Sequence, residues 1–333
     1  MKRALITGVT GQDGSYLAEF LLEKGYRITG LHLPASASRI SIRPAQEKIK
    51  LYEGDITDND LLAEIIRKEK PDEIYNLASV ATVAKPWEDP LHVLKVTGLA
   101  PIALLEILKK EFPHIKFFQA SSAEMFGEPA ESPQNEDTPF HPKNPYGMGK
   151  LLAHLAVGQY RIQHKLFAVS GILFNHESPR RGEGFVTRKI TRTLARIKAG
   201  AEKELIVGNL STVRDWGFAA DYVRAMWMML QADAPDDYVL ASGAAHTVRD
   251  FIHTAAKALD FPIAWEGKAE KEVGRDSKGN IVVRVSADFY RPVEKVNRCG
   301  DISKIKKALG WEPRTSFEDV VRMMVDADVL KAQ

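Results

Sequence analysis

The chain has 333 residues, 44% of them hydrophobic, with 46 basic and 44 acidic side chains and a formal net charge of +2. That length suits two domains, or one large α/β unit with an appendage, and the balanced charge gives no reason to expect nucleic acid as a partner. The single cysteine, Cys299, excludes an internal disulfide and has no metal-ligand spacing around it, so no metal site is expected. The N terminus runs straight into Ala4–Thr7 without a leader pattern. No apolar run is expected to approach the ~20 residues of a membrane span, so the reading is a cytoplasmic protein with no membrane partner.

In chain order, short runs rich in Ile, Leu, Val and aromatics predict strands at Ala4–Thr7, Arg27–Leu31, Ile49–Tyr52, Glu73–Ala78, Lys116–Ala120 and Phe167–Ile172. Amphipathic helices are predicted between them, at Tyr16–Lys24, Asn59–Arg67, Pro101–Glu111 and Gly147–His164. Strand–helix alternation means right-handed crossovers and a parallel sheet covered on both faces. After Ile172 the pattern loosens. Phe174–Lys189 reads as a polar, basic loop, followed by a helix through Ile197. Ile281–Val285 reads as a strand, and Ser303–Leu309 and Ser316–Leu330 as helices. The expected fold is a Rossmann-type doubly wound parallel sheet with a smaller C-terminal α/β region. The sheet domain is placed at 1–173, with a return near 210–242, and the second region at 174–333. Ligands of such sheets bind at the carboxyl ends of the strands.

The segment Gly8-Val9-Thr10-Gly11-Gln12-Asp13-Gly14 follows the first strand and opens the first helix. A tight turn needs one glycine, close approach of a pyrophosphate a second, and helix–strand packing a third. The helix N terminus then faces the phosphates. This is a dinucleotide cradle. No carboxylate stands about 20 residues on, where Leu31-His32-Leu33-Pro34 lies, which disfavours NAD. Arg39, with Arg43 and Ser36, is placed to hold a 2′-phosphate, which favours NADP.

Tyr146-Gly147-Met148-Gly149-Lys150 puts a phenol and an ammonium one helical turn apart. A phenol titrates near ~10 in water. A neighbouring ammonium and the positive nicotinamide of an oxidised cofactor favour its ionised form, which can then take a hydroxyl proton. Ser122 and Glu124 follow the predicted strand 116–120 and should lie beside this pair. A reductase needs only the tyrosine, lysine and hydroxyl. A carboxylate two residues further on suits a reaction that also removes a carbon-bound proton and expels water.

The glycine spacing resembles that of the extended short-chain dehydrogenase/reductases. Gly54-Asp55-Ile56 is similar to their adenine-contacting turn, and Tyr75-Asn76-Leu77-Ala78-Ser79 to their loop at the nicotinamide side. The longer runs Gly11–Leu17, Gly171–Glu183, Phe185–Lys189, Arg214–Gly217 and Phe289–Pro292 resemble signatures of GDP-mannose 4,6-dehydratases, a likeness extending from Leu5 to about Asp326. The resemblance implies a GDP-sugar substrate and an enzyme that dehydrates it without net redox change. In it Ser122 binds the sugar 4-hydroxyl, Glu124 handles the C5 proton, Tyr146 is the base for C4 oxidation and Lys150 supports it. It also implies cofactor contacts from Gly8, Thr10, Gly11, Gln12, Asp13, Gly14, Arg39, Asp55, Ile56, Leu77, Ala78, Ser79, Tyr146, Lys150, His176 and Arg181. The GDP part falls to Asn175, Val186, Lys189, Arg214, Arg291 and Glu294. Homodimers or homotetramers are usual for the family. The chain departs from the family at Leu33-Pro34, where an arginine pair is usual, and at Thr97–Pro101. Ser122-Ala123-Glu124 replaces a Thr-Ser-Glu or Ser-Ser-Glu run but keeps the hydroxyl. The alternative reading is a reductase, epimerase or dehydratase of a related nucleotide sugar, such as a GDP-heptose.

Overall fold

The computed structural model describes residues 1–34, 45–80, 87–290 and 296–332. Arg39, Arg291 and Glu294 lie outside the described residues, as do Ser36 and Arg43. The first half builds β1 (Arg3–Thr7), α1 (Gln12–Glu23), β2 (Arg27–His32), β3 (Ile49–Glu53), α2 (Asn59–Glu69) and β4 (Glu73–Asn76). A long helix follows as α3 (Pro90–Leu94), a π-helical turn at Lys95–Leu99, and α4 (Ala100–Glu111). Then come β5 (Lys116–Ser122), α5 (Pro145–His164) and β6 (Ala168–Leu173).

These strands form one parallel sheet in the order β3-β2-β1-β4-β5-β6, and a seventh strand, described below, joins beyond β6. The order reverses between β1 and β4, which opens a crevice at their carboxyl ends. One face is covered by α1 through Leu17 and Leu21, the other by α2, α4 and α5 through Leu62, Ile66, Leu104, Leu108 and Val157. Burial on both faces is why the strands read as continuous apolar runs rather than alternating ones.

Three boundaries move for local reasons. α1 starts at Gln12, four residues before the expected Tyr16, because Gly11 is its N-cap. β4 stops at Asn76 rather than Ala78. The amides of Leu77 and Ala78 donate to the hydroxyl of Thr7, each at 3.1 Å, instead of to the strand ladder. α5 begins at Pro145, with Asn144 capping it by accepting from the Gly147 amide at 2.8 Å.

The helix at 90–111 corrects another expectation. It is 22 residues long, its most apolar stretch has a mean hydropathy of 1.7, and by length and composition it could cross a bilayer. Half of that stretch is buried inside the protein. Its π turn has a cause. Pro101 has no amide hydrogen and its ring crowds the carbonyl four residues back, and the widened turn, closed by the Ala100 amide on the Lys95 carbonyl, makes room. A Cβ at Gly98 would sit 3.2 Å from the Gly149 carbonyl oxygen, so two glycines let this helix approach α5 closely.

The second half is more regular than its sequence suggested. It holds β7 (Asn175–Glu177), α6 (Val186–Lys198), β8 (Leu205–Val207), β9 (Val213–Phe218), α7 (Ala219–Gln231), β10 (Asp237–Leu240), β11 (Ala245–Thr247) and α8 (Val248–Ala258). After these come β12 (Ala264–Glu266), β13 (Val273–Arg275), β14 (Ile281–Val285), α9 (Ser303–Leu309) and α10 (Phe317–Ala332). β10 is the seventh strand of the main sheet, and α7 packs with α1 beneath it through Tyr222, Met226 and Met229. The segment 174–189, read as a loop, contains β7 and the first turn of α6. The missed strands are short and exist only by pairing with distant partners, β9 between β7 and β11, and β8 against β14. A second core under α6, α8 and α10 unites Ile190, Leu194, Phe251, Val283 and Met324.

Candidate active site

The carboxyl ends of β1, β4, β5 and β6 open into a cleft of about 890 Å³. Its walls bring together Gly8, Thr10, Gly11, Gln12, Asp13, Gly14, Asp55, Ile56, Leu77, Ala78, Ser79, Ser122, Glu124, Tyr146, Lys150, Asn175, His176 and Arg181. Val186, Lys189 and Arg214 do not line it. Val186 is exposed, Lys189 is half-buried with its ammonium 4.9 Å from the centre of the Phe289 ring, and Arg214 donates to the Val213 carbonyl at 2.7 Å.

The floor at one end is backbone. Gly8 has φ +69°, and a Cβ there would meet the Ala78 amide nitrogen at 3.0 Å. A Cβ on Gly14 would lie 2.4 Å from the Gly8 carbonyl oxygen and 2.6 Å from Val9 Cα. Only hydrogen fits at either position. Gly11 caps α1 without any side-chain bond, so the first-turn amides of α1 are left to face the cleft. This cradle fits a pyrophosphate. Thr7 ties the strand ends together: its hydroxyl donates to Asn76 Oδ1 at 2.7 Å, and Asn76 Nδ2 donates to Gln119 Oε1 at 2.8 Å.

Beside the cradle lies a charged pair. His176 Nδ1 donates to the Phe174 carbonyl at 2.7 Å, and Nε2 faces Asp13 Oδ2 at 2.8 Å. Both ring nitrogens meet acceptors, so the site favours the imidazolium. Burial pushes the His176 pKa down, but Asp13 outweighs it and the net shift is upward. Burial likewise pushes the Asp13 carboxyl up, and His176, Gln12 and Arg181 bring it below the usual range. Arg181 pairs with Glu177 at 3.2 Å and stacks on Phe185 at 3.6 Å.

At the other end, Tyr146 and Lys150 project from the first turns of α5. The Lys150 ammonium donates to the Ala120 carbonyl at 2.7 Å and lies 5.5 Å from the centre of the Tyr146 ring. Burial brings Lys150 down to about 8. Tyr146 is pushed up to about 12 by burial, against a hydrogen bond with Ser122 that lowers it. The sequence reading expected the ammonium and the nicotinamide's positive charge together to favour the phenolate; the protein's own groups do not do so by themselves. In this geometry Lys150 is committed to Ala120, and burial decides. Glu124 sits on a 3₁₀ turn directly after β5. Its Oε2 accepts from Asn144 Nδ2 at 3.2 Å and its Oε1 pairs with Arg298 Nη1. A phenol, a hydroxyl and a carboxylate thus share one cleft end, an arrangement able to move protons at neighbouring carbons of a bound substrate.

Residues 5–324 match the family model described as GDP-mannose 4,6 dehydratase. The GDP-mannose 4,6 dehydratase of Cricetulus griseus is 46% identical over 340 residues, covering 98% of this chain and 91% of that protein. The chain belongs to the GDP-mannose 4,6-dehydratase family. Among solved structures, RMD from Pseudomonas aeruginosa complexed with NADPH superposes with a TM-score of 0.79 at 23% identity, covering 99% of this chain and 100% of that one. The dTDP-glucose 4,6-dehydratase of Bacillus anthracis in complex with NAD gives 0.80 at 20% identity, covering 98% and 96%. Those two likenesses speak for the fold alone.

Within this dehydratase-family cleft, sequence reasoning missed Arg298, and with it the role of Asn144. Asn144-Pro145 carried a readable signal, a capping residue before a first-turn proline. Arg298 carried none, since it lies 174 positions from the glutamate it meets. Arg188 was also overlooked as a cleft residue. It lines the wall while its Nη2 pairs with Asp328 at 2.6 Å. Among the described residues, no cluster of three or more His, Cys, Asp or Glu could hold a metal ion.

Proposed function

We propose that this chain converts GDP-mannose to GDP-4-keto-6-deoxy-mannose, as a hydro-lyase with a nicotinamide dinucleotide resident in the cleft. The observation that carries the reading is the placement of Glu124 in the same cleft as Tyr146 and Ser122, in a chain of this family. The backbone of Gly8–Gly14 would hold the pyrophosphate, with His176 and Arg181 beside it, Asp55 and Ile56 the adenine side, and Leu77–Ser79 and Lys150 the nicotinamide side. When bound, that dinucleotide supplies reversible redox chemistry, taking the C4 hydrogen with its electron pair and returning it at C6. NADP is put ahead of NAD, because β2 ends in Leu31-His32 and continues into Leu33-Pro34 with no carboxylate for the ribose diol.

With the oxidised dinucleotide bound, its positive ring together with Lys150 would favour the Tyr146 phenolate, which takes the proton of the sugar 4-hydroxyl while Ser122 holds that oxygen. The resulting 4-ketone acidifies C5. Glu124 removes the C5 proton and passes a proton to the C6 oxygen, which departs as water. Asn175 lines the cleft for the GDP part, and Lys189 and Arg214, which do not line it, are assigned to the same ligand by the family resemblance. A pyrophosphate is met by such guanidinium and ammonium groups.

The dimeric or tetrameric assembly is part of the same proposal. Leu99, Met148, Leu152 and Leu155 are exposed on the α3–α4 helix and α5, an apolar face suited to a second copy. Sedimentation of the purified protein tests it, and a monomer at micromolar concentration would refute it. The activity is tested by incubating the protein with GDP-mannose alone, with NADP and with NAD. A 4-keto-6-deoxy product is expected, and its absence in all three removes the reading. Glu124→Gln is expected to lower turnover by about 10³-fold, and a fully active variant would take Glu124 out of the mechanism.

A further inference from the structure

Glu124 is held from two sides, and the two holds differ in origin. Asn144 belongs to the cap of α5 and is itself fixed by the Gly147 amide. Arg298 comes from the segment after β14. The backbone around it is bolted down at several points. The Cys299 carbonyl accepts from the Gln134 amide at 2.8 Å, and the Asn297 carbonyl accepts from Gln134 Nε2 at 3.0 Å. The Cys299 amide donates to Gln134 Oε1 at 3.1 Å, and the Gly300 amide to Asp215 Oδ2 at 3.2 Å. Gln134 and Asp215 are fully buried. The Arg298 side chain is 12% exposed, so its pair with Glu124 is largely sheltered from salt.

We propose that Arg298 is the positioning residue for Glu124, holding Oε1 so that the carboxylate keeps one orientation toward the cleft. This rests on the acid–base role given to Glu124 above. A glutamate anchored only at Oε2 would retain rotation about its terminal torsions, and proton transfer from carbon is sensitive to such misplacement. The anchor also has a direction. The charge-assisted bond is strongest with the carboxylate form. It weakens when Glu124 carries the C5 proton and is restored when that proton passes to the departing C6 oxygen. That preference lowers the basicity of Glu124, so the gain at C5 comes from orientation rather than driving force, and Arg298 itself exchanges no proton.

The test uses the holoenzyme of wild type, Arg298→Leu and Arg298→Lys, with GDP-mannose deuterated at C4 or at C5. For Arg298→Leu, kcat is expected to fall about 100-fold with KM unchanged within about twofold. The C5 isotope effect should grow and the C4 effect shrink, because C5 deprotonation depends on the orientation of Glu124 and the C4 step does not. Arg298→Lys should recover part of the rate. Melting temperature should hold, since the bonds to Gln134 and Asp215 come from backbone. A wild-type kcat in Arg298→Leu overturns the proposal. So does a raised KM at constant kcat, which would make Arg298 a substrate contact, or a slower rate with both isotope effects unchanged. Wild-type turnover separates the two readings. Its failure removes the dehydratase reading and this proposal with it. An Arg298→Leu enzyme equal to an active wild type removes only the role of Arg298.

Discussion

The two ends of the cleft are built by different means. The cradle at residues 8–14 is held by backbone packed on backbone, with glycines admitting contacts that no side chain would allow. The layer opposite is held by side-chain pairs spanning great sequence distances: Arg188 with Asp328, Arg298 with Glu124, and Asp215 with the amides of Ser242, Gly243 and Gly300. Even Cys299 belongs to this scheme. Its thiol points at Asp215 and is pushed up to about 12 by burial and that carboxylate, which disfavours the thiolate. A backbone cradle reads the same in every molecule that shares the turn. A layer of paired charges can be retuned one residue at a time.

The comparison breaks first, and most visibly, at the buried pair. Asp328→Asn leaves the Arg188 guanidinium without its countercharge and is expected to cost about 3–5 kcal/mol of unfolding free energy. The Arg188→Met, Asp328→Leu double substitution should recover most of that in the same denaturant titration. A loss below about 1 kcal/mol for Asp328→Asn would show that the layer does not depend on the pair. The cradle answers to a single methyl. Gly14→Ala places Cβ against Gly8 and Val9 and is expected to cost about 2 kcal/mol, with weaker retention of the dinucleotide. Gly11→Ala, whose Cβ would stop 3.2 Å from the Gly8 carbonyl oxygen, should cost less. Equal melting of the two variants would refute a cradle set by backbone contact at Gly14.

The smallest effect lies between the two regions, at Lys150. Its folded pKa is lowered to about 8 from 10.5 by burial, so the folded chain binds that proton less tightly than the unfolded one. The penalty of the buried ammonium is therefore full below about pH 8 and fades as pH rises toward 10.5. Cofactor-free wild type should gain roughly 1–2 kcal/mol on Lys150→Met between pH 8.5 and pH 10, with Tyr146 common to both and cancelling to first order. A difference that stays flat or moves the other way would contradict the burial of Lys150 as an ammonium.

Much of the site was legible because its parts are short and consecutive. Gly8–Gly14, Tyr146–Lys150 and Ser122–Glu124 each carry their chemistry within one turn, and each lies at the cleft where a strand ends or a helix begins. Val186, Lys189 and Arg214 were inferred with the same assurance and lie off the cleft wall: Arg188 is the α6 residue that lines it, and no residue of β9 does. The helices α7 and α8 escaped notice, although Thr247 and Asp250 form a reciprocal cap that spelled the start of α8.

By itself the sequence determined the parallel sheet, the succession along the chain of its first six strands and the helices between them, the glycine cradle and the family, but not the order of the strands across the sheet. Apolar periodicity, glycine sterics and capping act over a few neighbouring residues and are written in order. The joining of β10 to the far edge, the pairing of β7 with β9, the commitment of Lys150 to Ala120 and the meeting of Arg298 with Glu124 were decided only by tertiary structure. Each depends on which distant groups burial brings within hydrogen-bond reach, and no local pattern in the chain encodes that distance.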